Sequence, residues 1–460
     1  MSLVLTEAIA SRFENVVGSS YVRTGPAELA GYEIDGVPPA ILVRPASAEE
    51  AAAVVQIAVE EKCSVIPCGA RTSLAIGLMP ARYDVALDMT RVEGIVHYDP
   101  GDLTISVNAG TRLAALSKVL ADKKQFLPLE VPFFEEATVG GAIASGLDSP
   151  LRHFYGTARD FVIGAEFVDG TGALAKSGGR VVKNVTGYDF HKLMIGSLGS
   201  LTVITRVNFR TFPLPTSRRG FVASFVQEDG AFEFVRDLVA SPLTPVVLEV
   251  ISREFVDSFL GEKSSAASLF RDAQAWTVCV GFEGSNEVCE RYERDLTQLS
   301  RTASAQSATV VNDLEFAALL NVLREAPALM KDRAAHSLVL RFVSVPGNLR
   351  ELLRVLNSFA SSSQISCVVL VRSASIVYVA VSPGDGEETT LRQIASLCKS
   401  IETLRKQMDL SGVLLFCPRQ WKAELSVWNQ TADALDIARR VKNSFDPGGT
   451  FASGRFLGGI

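Results

Sequence analysis

The chain has 460 residues and a mass of 49.4 kDa, a length that allows about two to four folding units and an ample hydrophobic core. Hydrophobic residues make up 47% and charged residues 21% of the sequence, a globular balance that excludes wholesale disorder. The 45 Lys and Arg against 51 Asp and Glu give a net charge of −6, which argues against a nucleic-acid partner.

The seven cysteines are dispersed and form no C-x-x-C pair. This pattern is typical of reduced thiols in the cytoplasm, and it offers neither a disulfide framework nor an iron–sulfur site. The first residues lack the basic and apolar segments of an export signal, and no run of ~18 apolar residues occurs. We expect a cytoplasmic protein without a transmembrane segment, and peripheral attachment to the inner face of a membrane through partners stays open.

The first predicted elements are a strand, a helix and a second strand over residues 41–67. Ser47-Ala48-Glu49-Glu50 matches a capping box and precedes apolar residues at helical spacing. Val65-Ile66-Pro67 then runs directly into a glycine-rich loop that begins at Cys68. Strands are predicted around 84–89, 103–108, 161–169 and 201–212, with a helix after Thr111.

The pattern changes after Pro213 and Pro215, where we expect a domain boundary. Two successive rounds of β-α-β-β-α order follow, which predicts an antiparallel sheet backed by helices and an α+β fold class. A further helix is predicted around 430–444. The expected ranges are an N-terminal segment 1–36, a first domain 37–215, a second domain 216–417 and a C-terminal segment 418–460.

Several functional motifs are absent from the sequence. No G-x-G-x-x-G follows a predicted strand, and no G-x-S-x-G occurs. Gly141–Gly146 resembles the start of a P-loop but continues with Leu147-Asp148 where that motif needs its lysine. The four histidines are not spaced as metal pairs, so we expect no metal site.

The positive signal is a pair of glycine-rich loops, Cys68–Gly77 and Ala137–Gly146. The first loop offers backbone N–H groups, two hydroxyls and the charge of Arg71, a set that can hold a pyrophosphate. In the second loop two glycines open a small-residue helix, whose N-terminus favours an anion and whose surface admits a flat cofactor. Either loop alone is equally consistent with a simple turn.

The order of these loops and of two later segments resembles the FAD-binding domain of the vanillyl-alcohol oxidase / p-cresol methylhydroxylase superfamily. The later segments are Lys183-Asn184-Val185-Thr186-Gly187-Tyr188-Asp189 and Gly196-Ser197-Leu198-Gly199-Ser200-Leu201-Thr202-Val203-Ile204-Thr205. Within the superfamily the chain is most similar to the glycolate oxidase E-type subunit, through 129–134, 145–152, 159–164 and the ending 446–455.

The resemblance implies a two-lobed FAD-binding domain over 37–215, a cap domain over 216–417, and a C-terminal segment that returns to the FAD domain. By position, it assigns the pyrophosphate to Gly69, Ala70, Arg71, Thr72, Ser73 and Gly77. It assigns the flavin and ribityl chain to Thr138, Gly140, Gly141, Ala144 and Gly146, and a ring edge to the backbone of Ile204.

Two departures from the family pattern shape the functional expectation. The first loop has no histidine to which FAD could be attached covalently, so the resemblance implies noncovalent FAD. The H-x-G-D-G-N-x-H-type metal motif of catalytic relatives is absent, because His336 is the only histidine after His191. Flavin binding is therefore better supported than catalysis by the isolated chain.

Two residues are candidates for a catalytic role. Arg341, in an apolar strand of the cap domain, could hold a substrate carboxylate, and the alternative is an exposed face or a structural ion pair. Tyr188 could donate a hydrogen bond near the flavin, or be a structural tyrosine.

Two functions follow from the resemblance. The first is an FAD-dependent oxidoreductase of the glycolate or D-lactate type, which moves a hydride from the Cα of a 2-hydroxy acid to flavin N5. The alternative is a non-catalytic FAD-carrying subunit of a glycolate oxidase-like complex. In that case electrons pass to partners, which the resemblance names as a catalytic flavoprotein subunit and an iron–sulfur subunit.

Overall fold

A computed structural model describes residues 3–181, 187–261, 264–333, 337–363, 365–382, 387–407, 410–422, 425, 427–429 and 432–460. The chain divides into two compact units. Unit 1 comprises Met1–Leu147, Thr157–Pro213 and Gln430–Ile460, and unit 2 comprises Asp148–Gly156 and Leu214–Asn429. The domain ranges expected from the sequence stay a proposal, with the difference that Asp148–Gly156 and residues 418–429 group with unit 2.

The strands are β1 Val22–Arg23, β2 Ile41–Val43, β3 Val65–Cys68, β4 Val85–Asp88, β5 Ile95–Asp99, β6 Thr104–Asn108, β7 Gln125–Phe126, β8 Val162–Val168, β9 Leu174–Gly178, β10 Val203–Arg210, β11 Phe212–Pro213, β12 Ser217–Phe225, β13 Val247–Ser252, β14 Trp276–Gly284, β15 Ser307–Val311, β16 Leu338–Ser344, β17 Cys367–Arg372, β18 Ile376–Val381, β19 Leu410–Phe416 and β20 Trp428–Asn429. The helices are α1 Leu3–Val17, α2 Pro26–Leu29, α3 Ala48–Glu60, α4 Leu113–Asp122, α5 Val139–Ser145, α6 Arg152–Tyr155, α7 Ala158–Phe161, α8 His191–Met194, α9 Glu228–Ala240, α10 Arg253–Phe259, α11 Asn286–Thr302, α12 Asp313–Lys331, α13 Leu349–Ser363, α14 Glu387–Gln407, α15 Arg419–Lys422 and α16 Ala432–Phe445.

The first sheet of unit 1 has the order β1-β2-β4-β3, and β4 pairs in parallel with both β2 and β3. The crossover helix α3 begins as predicted, because the Ser47 hydroxyl accepts a hydrogen bond from the Glu50 backbone N–H at 3.1 Å. Its buried face packs with α1, a helix that the sequence analysis does not assign; Phe13 and Val54 are both fully buried in this core.

The second sheet of unit 1 has the antiparallel order β5-β6-β10-β8-β9. Helix α5, which carries the second glycine-rich loop, packs against β6 and β10. The two glycine-rich loops therefore belong to different sheets of the same unit. This placement agrees with the two lobes that the sequence predicts.

The C-terminal tail returns to the first sheet of unit 1. Phe451 bridges Val65 in parallel, and the Ala452 N–H donates to the Val65 carbonyl at 2.9 Å. The carboxylate of Asp446, 1% exposed, accepts hydrogen bonds from the Phe451 N–H at 2.7 Å and from the Lys442 ammonium at 2.6 Å. This buried carboxylate thus fastens the tail to helix α16.

Unit 2 is built on one long sheet, whose described strands run β15-β12-β14-β13-β17-β18-β16-β19-β20 with antiparallel pairing. Each half follows the β-α-β-β-α-β order of a ferredoxin-like motif, and the halves join where β13 pairs with β17. The predicted α+β class and antiparallel second domain are confirmed.

Several elements of unit 2 escape prediction, namely α6, α10, β15, α15 and β20. Three consecutive residues of the edge strand β15 are exposed, so its sequence lacks an apolar signal. By contrast, β13 and β18 are buried at every residue. Continuous burial shows that both faces of the central sheet are covered. An alternating pattern of apolar and polar residues, which marks a strand with one exposed face, is therefore absent from these strands.

We predict that Asp446→Ala destabilises unit 1 by about 3–5 kcal/mol, because it leaves the buried Lys442 ammonium without its carboxylate. The matched control is Asp436→Ala on the same helix, whose exposed pairing with Arg440 is worth less than ~1 kcal/mol. Thermal unfolding of the two variants measures the difference. Equal melting temperatures would contradict a structural role for the buried carboxylate.

Candidate functional site

The first glycine-rich loop leaves β3 at its carboxyl end and turns immediately. Arg71 adopts a left-handed conformation with φ of 68°, and its guanidinium carbon lies 4.5 Å from the centre of the Tyr32 ring. Within the part of the chain that the structure describes, the backbone N–H groups of Ala70, Arg71, Thr72 and Ser73 donate to no protein acceptor. Successive unused N–H groups at a turn form a concavity suited to an anion.

The second loop uses its first N–H groups differently. The Val139 N–H donates to the Thr111 carbonyl and the Gly140 N–H to the Ala109 carbonyl, both at 2.8 Å. The Gly141 N–H donates to the Thr138 hydroxyl at 3.3 Å. Since the protein itself occupies these donors, the expectation that the start of this helix receives an anion is wrong, and the loop instead supplies a wall of small residues.

The two loops approach each other at Gly69 and Thr138. A Cβ atom at Gly69 would lie 2.0 Å from the Thr138 hydroxyl oxygen, so only glycine permits this approach. A Cβ atom at Gly140 would lie 2.8 Å from the Cβ of Ala109, whereas one at Gly141 would approach only the Thr138 hydroxyl, at 3.0 Å. Gly140 therefore serves helix-to-strand packing, and Gly141 faces otherwise open space.

Two adjoining cavities lie along these loops in unit 1, with volumes of about 380 and 460 Å³ when the space open to solvent is included. Residues of both loops line each cavity, so the two form one continuous cleft. The predicted cofactor residues found in its lining are Gly69, Ala70, Arg71, Thr72, Ser73, Thr138, Gly140, Gly141, Ala144 and Ile204.

Two predicted cofactor residues, Gly77 and Gly146, are not among the residues that line the cleft. Gly146 has a φ of 60° and ends helix α5, with its N–H donating to the Ala142 carbonyl at 3.1 Å. Gly77 has a φ of 99°, and a Cβ there would lie 2.8 Å from the Arg455 carbonyl oxygen. Both glycines shape the backbone around the cleft.

Arg455 is a cleft residue that the sequence analysis does not assign as a site residue. It is 2% exposed, lines the cavity beside the first loop, and donates to the Leu74 carbonyl at 2.5 Å and to the Ile76 carbonyl. Burial lowers the pKa of its guanidinium to about 10. In the sequence, Arg455 could have been found as the last residue of the ending 446–455, which resembles the family.

Other unassigned residues that line the cleft include Pro67, Met89, Ala109, Leu198, Gly199, Thr202 and Val203.

The donors of the cleft fit a flavin dinucleotide. Unused N–H groups beside the guanidinium groups of Arg71 and Arg455 match a pyrophosphate. At the other end the walls are small and mostly apolar, and the buried Thr202 hydroxyl has no hydrogen-bond partner among the described residues. A flat ring with polar edges satisfies both features of this end.

The two predicted catalytic residues lie outside this cleft lining. Arg341, in β16 of unit 2, donates through Nε to a carboxylate oxygen of Asp148 at 2.7 Å. The structure therefore contains the structural ion pair that was the alternative role of Arg341. Tyr188 is 80% exposed, with its ring 5.8 Å from that of Phe190. Most of the motif that precedes Tyr188, residues 182–186, lies outside the described residues.

The Arg341–Asp148 pair belongs to a larger buried cluster in unit 2. Arg372, fully buried, donates to Glu249 at 2.8 Å, to the Asp148 carbonyl at 2.7 Å and to the Leu323 carbonyl at 2.6 Å. Burial raises the pKa of Glu249 to about 7, although Arg372 opposes this. Burial would also raise the pKa of Asp148, but the charges of Arg341 and other nearby arginines outweigh it and lower that pKa.

The described residues contain no group of three or more His, Cys, Asp or Glu side chains placed to hold a metal ion. Among the helices described, none combines the length and the apolar character that crossing a bilayer requires.

Comparison with known proteins identifies two families along the chain. Residues 39–178 match the FAD binding domain, and residues 214–371 match the C-terminal domain of FAD linked oxidases. Glycolate oxidase subunit GlcD of Bacillus subtilis is 24% identical over 96% of this chain and 95% of that protein. D-lactate dehydrogenase of Anaerostipes hadrus is 30% identical over 64% of this chain and 60% of that protein.

Solved structures agree with this assignment at the level of fold. p-Cresol methylhydroxylase with substrate bound has a TM-score of 0.78 and 15% identity, covering 99% of this chain and 97% of that chain. 4-Ethylphenol oxidase from Gulosibacter chungangensis has a TM-score of 0.75 at the same identity and coverage. Residues 39–178 therefore match the FAD-binding domain and residues 214–371 the C-terminal domain of FAD linked oxidases, and FAD is the cofactor.

Proposed function

We propose that the cleft between the two glycine-rich loops of unit 1 holds FAD. The backbone N–H groups of residues 70–73, with Arg71 and Arg455, would bind the pyrophosphate. Gly141, Ala144 and Ile204 would contact the flavin end. This cleft, in which unused donors and two guanidinium groups face a small-residue wall, is the observation that carries the proposal.

FAD would be held noncovalently. The stretch 68–77 contains no histidine. Its cysteine, Cys68, is 8% exposed, and burial raises the pKa of this thiol well above its usual value. A buried, protonated thiol is a poor nucleophile, so it provides no covalent link to the cofactor.

The reaction class that fits is oxidation of a small 2-hydroxy acid, by an enzyme that is active together with partner subunits. Relatives along the chain include a glycolate oxidase subunit and a D-lactate dehydrogenase. Bound FAD would supply the acceptor for the hydride that leaves the substrate Cα. From this chain, Arg341 would orient the substrate carboxylate, provided that Asp148 gives up its place.

The second candidate function is a non-catalytic FAD-carrying subunit. Asp148 engages Arg341, and His336 is the only histidine beyond position 191, so no histidine-rich metal motif is possible there. A shorter match to glycolate oxidase subunit GlcE of Escherichia coli, 44% identical over 28% of this chain and 37% of that protein, favours the same role. In this role a catalytic flavoprotein and an iron–sulfur subunit would be partners, in the cytoplasm or at the inner face of the membrane.

Gly141 and Gly140 allow a matched test of the proposed cleft. The sequence alone predicts that a bulky residue at either position blocks the cofactor. The structure separates them: Gly141→Val should chiefly lower FAD affinity, at least ~10-fold, whereas Gly140→Val should chiefly lower stability through its clash with Ala109. Flavin fluorescence titration and thermal unfolding of each apoprotein measure the two effects. Unchanged FAD affinity in Gly141→Val would remove this loop from the cofactor site.

Anaerobic stopped-flow absorbance of the flavin tests the function itself. On mixing the isolated holoprotein with glycolate or D-lactate, we expect no bleaching within seconds, because Asp148 engages the cation that would bind the substrate. Addition of the partner subunits should restore reduction. Bleaching of the isolated protein within seconds would identify a self-sufficient dehydrogenase and exclude the subunit role.

A further inference from the structure

We propose that Arg341, Arg152 and Tyr378 form a binding site for a small carboxylate, and that the side chain of Asp148 occupies this site in the native chain. The four residues all belong to unit 2. The proposal rests on their geometry. It draws on the proposed function only for the natural ligand, a 2-hydroxy acid.

The donors converge on both oxygens of one carboxylate. One oxygen of Asp148 accepts from Arg341 Nε at 2.7 Å, from Arg341 Nη2 at 2.5 Å and from the Tyr378 hydroxyl at 3.1 Å. The other oxygen accepts from Arg152. These donors come from β16, β18 and α6, so the fold itself holds them around the carboxylate.

The charges of the cluster favour an anion at this place. Arg341, Arg152 and Arg372 face the carboxylates of Asp148 and Glu249, so the described cluster has one more guanidinium than carboxylates. Removal of the Asp148 charge would leave two buried or half-buried arginines without a partner, which is strongly unfavourable. A carboxylate that binds from solution would neutralise this excess of positive charge.

The site is also within reach of solvent. The side chains of Arg341 and Arg152 are each 21% exposed, whereas that of Asp148 is 5% exposed. Beyond its Cβ, Asp148 presents only a carboxylate, the same group that formate, acetate and glycolate present. Truncation of Asp148 to alanine should therefore open a space of the size and charge of formate, because the retained Cβ takes the place of the carbon chain of a larger acid.

The test is chemical rescue of Asp148→Ala, followed by thermal unfolding. The variant should melt below the wild type, and formate at tens of millimolar should raise its melting temperature saturably by about 3–6 °C at constant ionic strength. Asp148→Asn, which keeps the site filled, should not respond. The double variant Asp148→Ala/Arg341→Met should lose the response, because the main donor is gone.

Three results would overturn the proposal: no shift, an equal shift with chloride, or an undiminished shift in the double variant. If Asp148→Ala does not fold, refolding from urea in formate should recover soluble protein, and recovery no better than in chloride would likewise overturn the proposal. Since this measurement needs neither bound flavin nor turnover, its failure is distinguishable from failure of the proposed function.

Discussion

The approach of Gly69 to Thr138 is the contact on which the cofactor cleft depends. With a Cβ position 2.0 Å from the Thr138 hydroxyl oxygen, any side chain at Gly69 would force the loops apart. Thr138 also begins helix α5, since its hydroxyl accepts the Gly141 N–H. One threonine thus sets the width of the cleft and the start of the helix that forms its wall. The donors proposed to bind the pyrophosphate lie on the glycine side of this contact, and the small-residue wall lies on the threonine side.

A different constraint governs unit 2, where buried arginines must be neutralised. Arg372 satisfies its donors with Glu249 and two carbonyl groups, and Arg341 does so with Asp148. A substrate carboxylate would have to compete with Asp148, a ligand that is always present at high effective concentration. In the proposed subunit role, this competition would be the physical reason for the chain to depend on partners for catalysis.

The sequence predicts features that local patterns encode. Helix α3 begins at Ala48, directly after the predicted cap residue Ser47, and its apolar face is buried as the helical spacing predicts. The strand into the first loop is likewise local, because Val65-Ile66-Pro67 is followed directly by Cys68-Gly69. The family resemblance predicts the cofactor, and most of the residues it assigns to the cofactor line the cleft.

Features that depend on distant residues escape prediction. Arg341 and Asp148 are 193 residues apart in the chain, and no local pattern indicates their pairing. Gly140 and Gly141 look alike in sequence, yet only tertiary packing against Ala109 separates their roles. Arg455 reaches the first loop because the tail folds back through Phe451, so its place in the cleft is visible only in three dimensions.

Comparison of FAD with riboflavin tests the central claim that the cleft grips the cofactor through its pyrophosphate. The flavin would be removed with acid, and the apoprotein titrated with each compound while flavin fluorescence is recorded. Because charge-assisted hydrogen bonds to the pyrophosphate are each worth ~1.5–3 kcal/mol, riboflavin should bind at least ~100-fold more weakly than FAD. Flavin that resists removal, or equal affinities for the two compounds, would contradict a noncovalent site built on the first glycine-rich loop and Arg455.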